Sequence, residues 1–411
     1  MDQFGTFPGT LQTSHVRPFA FYIETFSARL LEEGYASTTT REQTRLVADL
    51  SRWLRRRCLE ATALDEQTVA RFLQYRRRNG RVYRGSAATL RKLLAHLREA
   101  GVIRGSAQKV DDTPLQRMEI DFSRYLAQER GLSRATVINY LPTVRRFLSD
   151  RFGTALIQPH ELHSGEIGRF IIRHAHAISR GRAKLMVTAL RSFFRFLRLR
   201  GDITSDLATA VPAVPNWRLT NLPTSIPPEE VESVLKSCNQ STATGQRDHT
   251  ILLLLARLGL RAGEIVAMRL EDIDWEAGEL TIRGKGSRQD RLPLPQDVGE
   301  ALATYLRHGR TCCSARQVFI RMKAPRRGFA SSVAICTIVR RALARAGLAP
   351  PHKGAHLLRH SLATQMLSKG ASLSEIGEIL RHQQPNTTQI YTKVDLAALR
   401  TLAQPWPGEE S

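Results

Sequence analysis

Two stretches of this chain, about a hundred residues apart, carry the same pattern, and an internal repeat limits the fold before any other feature does. FSARLLEEGYASTTTREQTRLVADL from Phe26 parallels FSRYLAQERGLSRATVINYLPTVRRFL from Phe122. Thr39 stands with Thr136, Val47 with Val144, Leu50 with Phe147, and Arg71-Phe72 with Arg169-Phe170. RKLLAHLREAGVI from Arg91 then matches RSFFRFLRLRGDI from Arg191, with Leu97/Leu197, Gly101/Gly201 and Ile103/Ile203 in step. Four blocks in one order, each set ending in a helix followed by Gly, read as one unit used twice.

Each copy reads as about four helices. Ser133 stands where a helix N-cap belongs, because a serine oxygen satisfies a free backbone N–H at a helix start. Leu190, Phe193, Phe194 and Leu197 form an apolar stripe at helical spacing, with Arg191, Arg195, Arg198 and Arg200 opposite it. The first copy carries the run Arg76-Arg77-Arg78, then Arg81 and Arg84. Arginine runs are often only solvated faces. Repeated on both copies, Arg76, Arg77, Arg78, Arg191, Arg195 and Arg198 become candidate contacts to phosphates.

Residues 104–115, RGSAQKVDDTPL, are small, polar and non-periodic, and 205–228 holds Pro212, Pro215, Pro223, Pro227 and Pro228, which do not fit helix interiors. The expected organisation is a helical domain at 1–110, its second copy at 112–206, a linker at 207–224, a third domain at 225–395 and a tail at 396–411. In the third domain, helical stretches fall at about 229–237, 247–260 and 331–347. LEDIDWEAGELTIRGKGSRQDRLPLP reads as two or three short strands, with turns at Glu276-Ala277-Gly278 and Gly284-Lys285-Gly286. The fold class is mainly α and multidomain, with one small antiparallel sheet.

Charge points to the partner. The chain has 61 Lys+Arg against 38 Asp+Glu, a formal net charge of +23, and the excess is spread over all three segments. Solubility alone asks for roughly 2–8 charges on a small domain. A basic excess along the whole chain suits a polyanion, because each cation near a phosphate releases a counterion. The longest apolar run, Ile251 to Ala256, is far too short to span a bilayer, and the N-terminus lacks a cationic segment followed by an apolar one. The five cysteines are odd in number and form no C-x-x-C pair, which fits a reducing compartment. A soluble, cytoplasmic protein with no membrane partner is expected, associated with the nucleoid when bound to DNA.

Four islands in the third segment carry chemistry. In ARLGLRAGEIVAMRL, Gly259 ends an apolar helix and Arg261 and Glu264 share one face of the next turn. Lys285 sits at a hairpin tip. In HLLRHSLAT, His356, Arg359 and His360 share a helical face, but Leu357 stands where a zinc protease needs Glu, so no metal site is expected. His360 by itself reads as a packed or hydrogen-bonded structural residue. In LRHQQPNTTQIYTKVD, His382 precedes Tyr391, with Pro385-Asn386 as a break between them.

Together and in this order, the islands resemble the tyrosine recombinase (phage integrase) family over about 225–395, down to flanking residues such as GLRAGE and NTTQIY. One departure is Arg381, where many relatives carry Gly before the histidine. The resemblance implies two helical SAM-like domains of the core-binding type, the upstream one an unusual extra, before a mostly helical catalytic domain with a small antiparallel sheet. It implies a site-specific DNA recombinase of the integrase or transposase type, serving a phage, a transposon, an integron or a chromosome. The enzyme would bind duplex recombination sites as a homo-oligomer, a tetramer on DNA, with accessory recombinases as further partners. Residues 396–411 would pack on a neighbouring subunit.

The implied roles follow phosphodiester chemistry. Arg261 and Arg359 would hold the phosphoryl oxygens, since guanidiniums stay charged and donate in pairs. His356 and His382 would add donors, one of them accepting the proton of a phenol that is protonated at neutral pH. Lys285 would protonate the departing 5′ oxygen, and Glu264 would orient Arg261 or a neighbouring histidine. Tyr391 would form a 3′-phosphotyrosyl bond, so neither metal nor nucleotide cofactor is required. Gly278 to Gly284-Lys285 has the wrong spacing for a nucleotide-phosphate loop, and Gly286 replaces its Ser/Thr. A type IB topoisomerase-like activity and a non-catalytic architectural DNA-binding protein are the competing expectations.

Overall fold

The computed structural model describes residues 20–80, 85–103, 113–153, 155–214, 223–284, 289–382, 384 and 387–394. The chain divides into two compact units, one of residues 104–218 and one of 1–103 with 219–411.

Helices α1 (Ala20–Glu32), α2 (Ser37–Arg55), α3 (Glu66–Arg78) and α4 (Ser86–Glu99) open the chain. Asp65 caps α3, its Oδ1 accepting the Thr68 N–H at 2.7 Å. Phe26, Val47, Leu50, Phe72 and Leu97 are buried in the core of this group. The backbone N–H of Arg326 donates to the Glu33 carbonyl at 2.8 Å, tying this group to the later part of its unit.

The 104–218 unit contains α5 (Pro114–Arg124), α6 (Arg134–Phe152), α7 (Ser164–Ala175) and α8 (Arg180–Arg200). Ser133 caps α6, as its place in the sequence leads one to expect, and Thr113 caps α5. These five core residues each have their sequence counterpart buried here: Phe122, Val144, Phe147, Phe170 and Leu197. The helix-then-Gly endings also correspond, with Gly101 at φ 70° and Gly201 at φ 82°, backbone that only glycine adopts readily. The expected linker start at 207 is corrected by packing. Leu207, Ala208 and Val211 are buried in this core, and Arg191 Nη2 donates to the Val211 carbonyl at 2.8 Å. Apolar side chains there find a surface to bury against despite the nearby prolines.

The third segment is built around α10 (Ala243–Arg257), which packs between α9 (Pro228–Lys236), α12 (Gln296–Thr304), α13 (Val333–Arg345) and α14 (Ala355–Ser368). Ile251 to Leu255 are all buried, as expected of a helix that is apolar all round. The short helix α11 (Ala262–Ala267) packs against it, α15 (Leu373–Ile379) packs against α14, and a 3-10 turn, Gln389–Val394, follows. The sheet is antiparallel in the order β1 (Ile273–Asp274), β2 (Glu279–Arg283), β3 (Gln289–Pro293). Leu280 pairs with Leu292 and Ile282 with Asp290, so Leu280 and Ile282 turn inward together. Arg283 donates through Nε and Nη2 to the buried Asp272 Oδ1 at 2.9 and 2.7 Å, which anchors the root of the hairpin. Lys285, in the connection between β2 and β3, lies outside the described residues, as does the tail 396–411. Among the described residues no helix is long and apolar enough to cross a membrane.

Candidate active site

The site begins where α10 stops. Gly259 adopts φ 57°, and an added Cβ would lie 2.5 Å from Leu380 Cδ2, so the turn requires glycine twice over. Two residues on, Arg261 is the N-cap of α11. Glu264, at the third position of that helix, accepts the Arg261 backbone N–H with Oε2 and Arg261 Nη1 with Oε1, both at 2.8 Å. The remaining Nη2 of Arg261 donates to the Arg381 carbonyl at 3.0 Å. Burial pushes the Glu264 carboxyl up, but the Arg261 N–H and the charges of Arg381 and Arg261 outweigh it and hold the group below its ordinary value.

Arg359, on α14, is 4% exposed and donates to the carbonyls of Gly259 and Leu380. Burial and then the neighbouring charges of Arg261 and Arg381 lower it to about 10, so it stays cationic at neutral pH. His356 and His360 lie one turn apart on the same helix, ring centroids 6.3 Å apart. His382 follows α15 and has Nδ1 2.6 Å from Thr388 Oγ1. All three imidazoles are pushed down by burial and by nearby charge, His360 and His382 each to about 4. They are neutral at pH 7 and so able both to donate and to accept.

Tyr391 is 1% exposed, in a small cluster with Ala363, Ile376 and Leu380. Its hydroxyl lies 2.8 Å from His360 Nδ1, and in the neutral tautomer that carries its proton on Nε2 the phenol donates to that nitrogen. Burial raises the phenol to about 12, against the opposing pull of the Arg359 charge. The raised phenol and the lowered imidazole make direct proton transfer to His360 uphill in this state. The phenol is therefore held protonated.

Six of the seven expected residues, Arg261, Glu264, His356, Arg359, His382 and Tyr391, thus share one site, and Lys285 lies outside the described residues. Glu264 orients Arg261, not a histidine. Two further residues adjoin the site. His360, expected to be packed or hydrogen-bonded, is hydrogen-bonded, and its partner is the Tyr391 hydroxyl. Arg381, which the sequence marks only as a departure from the family pattern, donates from its guanidinium Nη2 to Glu264 Oε2 at 2.8 Å. Among the described residues no group of three or more His, Cys, Asp or Glu is arranged to hold a metal ion.

The candidate phosphate contacts divide. Arg76 is buried beneath the helix surface, because it shares the inward stripe of Val69 and Phe72, and its Nη1 donates to Asp49 at 2.6 Å. Arg77 and Arg78 are exposed. Arg195 and Arg198 are exposed on α8, the latter paired with Asp206 at 3.1 Å, and Arg191 is partly buried on the Val211 carbonyl.

Residues 224–397 match the Phage integrase family, and 120–201 match the phage integrase N-terminal SAM-like domain. The chain is 45% identical, over 95% of its own length and 95% of the other's, to a Sinorhizobium fredii (strain NBRC 101917 / NGR234) protein named as an integrase/recombinase, y4rA. This chain belongs to the tyrosine recombinases of the phage integrase family. As such it is a site-specific DNA recombinase. It is also 29% identical to the tyrosine recombinase XerC of Bacillus pumilus (strain SAFR-032), over 70% of this chain and 95% of that protein. Two solved recombinases share the fold. The XerH site-specific recombinase bound to palindromic difH substrate has a TM-score of 0.55 at 22% identity, covering 82% of this chain and 94% of that one. A lambda integrase dimer bound to a core site has a TM-score of 0.52 at 19% identity, covering 72% and 98%.

Proposed function

We propose that this recombinase cuts and rejoins duplex DNA at its recombination sites through Tyr391, with no metal or nucleotide cofactor. The observation that carries this is the convergence of Arg261, Arg359 and three neutral imidazoles around a tyrosine whose hydroxyl is already hydrogen-bonded. Tyr391 Oη attacks the phosphorus and the bond to the 5′ oxygen breaks. Lys285 gives that oxygen its proton, leaving a 3′-phosphotyrosyl bond and a free 5′-hydroxyl. The 5′-hydroxyl of a partner strand then attacks the same phosphorus and releases Tyr391, so the bond energy is kept.

Charge accumulates on the non-bridging oxygens in both steps. Arg261 and Arg359 are held by carboxylate and carbonyl partners before substrate arrives, and fixed donors of this kind are each worth about 2.7–4 kcal/mol in comparable sites. His356 and His382 add neutral donors. His360, the imidazole in contact with the phenol, accepts its proton once a bound phosphodiester has brought negative charge beside Arg359 and raised the ring's basicity.

Exposed Arg77, Arg78, Arg195 and Arg198 suit backbone contacts, and the matching buried positions of α1–α4 and α5–α8 support a duplicated SAM-like unit for the 1–110 and 112–206 segments. Assembly as a tetramer on DNA follows the reaction's need for two duplexes; a lambda integrase tetramer bound to a Holliday junction is among the solved relatives of this fold. The test is a nicked duplex of the protein's own recombination site, which traps a covalent intermediate. Wild type should give a denaturation-resistant DNA–protein adduct and Tyr391→Phe none. Strand nicking and resealing by isolated monomers would favour a topoisomerase-like role, and tight DNA binding without any adduct an architectural one.

A further inference from the structure

Arg381 occupies the left-handed backbone region, φ 53°, which disfavours any residue with a Cβ. That conformation has a consequence in the site. The carbonyls of the consecutive residues Leu380 and Arg381 accept from Arg359 Nη2 and Arg261 Nη2 respectively. The side chain adds a second tie. Its Nη2 donates to Glu264 Oε2 at 2.8 Å, the same oxygen that accepts the Arg261 backbone N–H, while Glu264 Oε1 accepts Arg261 Nη1. Both partners are almost closed off from solvent, with side-chain exposures of 7% and 6%. Arg381 Nε is buried without a hydrogen-bond partner, so the residue keeps its place despite an unmet donor as well as an unfavourable backbone. Glycine would remove both penalties, and it would also remove the guanidinium.

We propose that Arg381 is a positioning residue for strand cleavage, its carbonyl and its guanidinium together fixing Arg261 through Glu264. The inference rests on the reading of Arg261 and Arg359 as the phosphate-binding pair. Without Arg381, the buried Glu264 carboxylate would lose a cation, and Arg261 would lose the rigidity of its acceptor. A small misplacement of such a donor is enough to slow chemistry by about a hundredfold.

The full chain is compared with Arg381→Gly, Arg381→Gln and Arg381→Lys. A purely conformational role predicts that Gly is at least as active as wild type. The positioning role predicts that Gly and Gln lower single-turnover adduct formation on the nicked site duplex by about ten- to a hundredfold. Affinity for the duplex should stay unchanged, Lys should recover part of the rate, and an acidic limb should appear in the pH–rate profile of Gly and Gln. A second arm uses neither DNA nor the nucleophile: carboxyl NMR of protein carrying 13C-labelled glutamate. Glu264 should titrate about one pH unit or more higher in the Gly and Gln variants. Wild-type cleavage rates in the Gly variant, or a Glu264 titration that does not move, would overturn the proposal. Failure of the Tyr391 assignment would show separately, as adducts that persist in Tyr391→Phe.

Discussion

Replacing His360 with Leu tests how the Tyr391 hydroxyl is held. In the structure the Tyr391 hydroxyl is buried and its hydrogen-bond partner is His360 Nδ1 at 2.8 Å. Leucine is close in volume but has no acceptor, so the hydroxyl would stay buried and unsatisfied, a penalty of about 1–3 kcal/mol. That penalty falls on the packed state of the Gln389–Val394 turn and not on the opened one. The opened population should rise by about 5- to 150-fold, since 1.4 kcal/mol is a factor of ten. Hydrogen-exchange mass spectrometry of peptides covering 389–394 measures this directly, with α10 peptides as an internal reference. Faster exchange confined to the turn is expected. Absorbance titration should also show Tyr391 moving from about 12 toward the ordinary tyrosine value. Unchanged exchange together with an unchanged titration would refute the view that His360 holds the Tyr391 hydroxyl in place. His360→Gln, which keeps an acceptor, should restore much of the protection.

Three further outcomes are expected. Gly259→Ala should destabilise the last segment by about 1–2 kcal/mol from the left-handed backbone alone, with more from the clash on Leu380, and a lowered Tm would register it. Arg261→Ala and Arg359→Ala should each slow single-turnover cleavage by about a hundred- to a thousandfold while leaving DNA affinity nearly intact, as rates and binding curves on one duplex would show. His360 and His382 titrate near 4 when folded, below the ordinary histidine value. The unfolded chain therefore takes up protons that the folded chain refuses, and stability should be lost as pH falls from about 6.5 toward 4. Tm measured against pH should show that slope, and His360→Gln should flatten it.

The legible part of this molecule is the part written in local pattern. Leu190, Phe193, Phe194 and Leu197 announced a buried stripe, and all four are buried. The hairpin was visible in alternating apolar residues between two glycine turns. The residues that share the candidate site were legible because each sits in its own short motif. What stayed hidden depends on contacts between distant positions. Arg381 meets Glu264 across more than a hundred residues, and its value lies in a backbone conformation that no spacing rule reports. His360 shared a helix face with His356 in the sequence, but only the fold brings Tyr391 to it. Arg76 was hidden by its neighbours: in a run of three arginines, helical phase turns one inward onto Asp49 and leaves two outside. The proline-rich connection misled in the opposite direction, since Leu207 and Val211 pack on the preceding core.

Tyr391 is expected to carry the DNA during exchange. Wild-type adduct formed on the nicked duplex can be digested with protease and nuclease and its modified peptide sequenced by mass spectrometry. One modified peptide is expected, containing Tyr391, joined to the 3′-phosphate of the cleaved strand, with a free 5′-hydroxyl on the released end. A modification on any other residue, or a link through a 5′-phosphate, would contradict it.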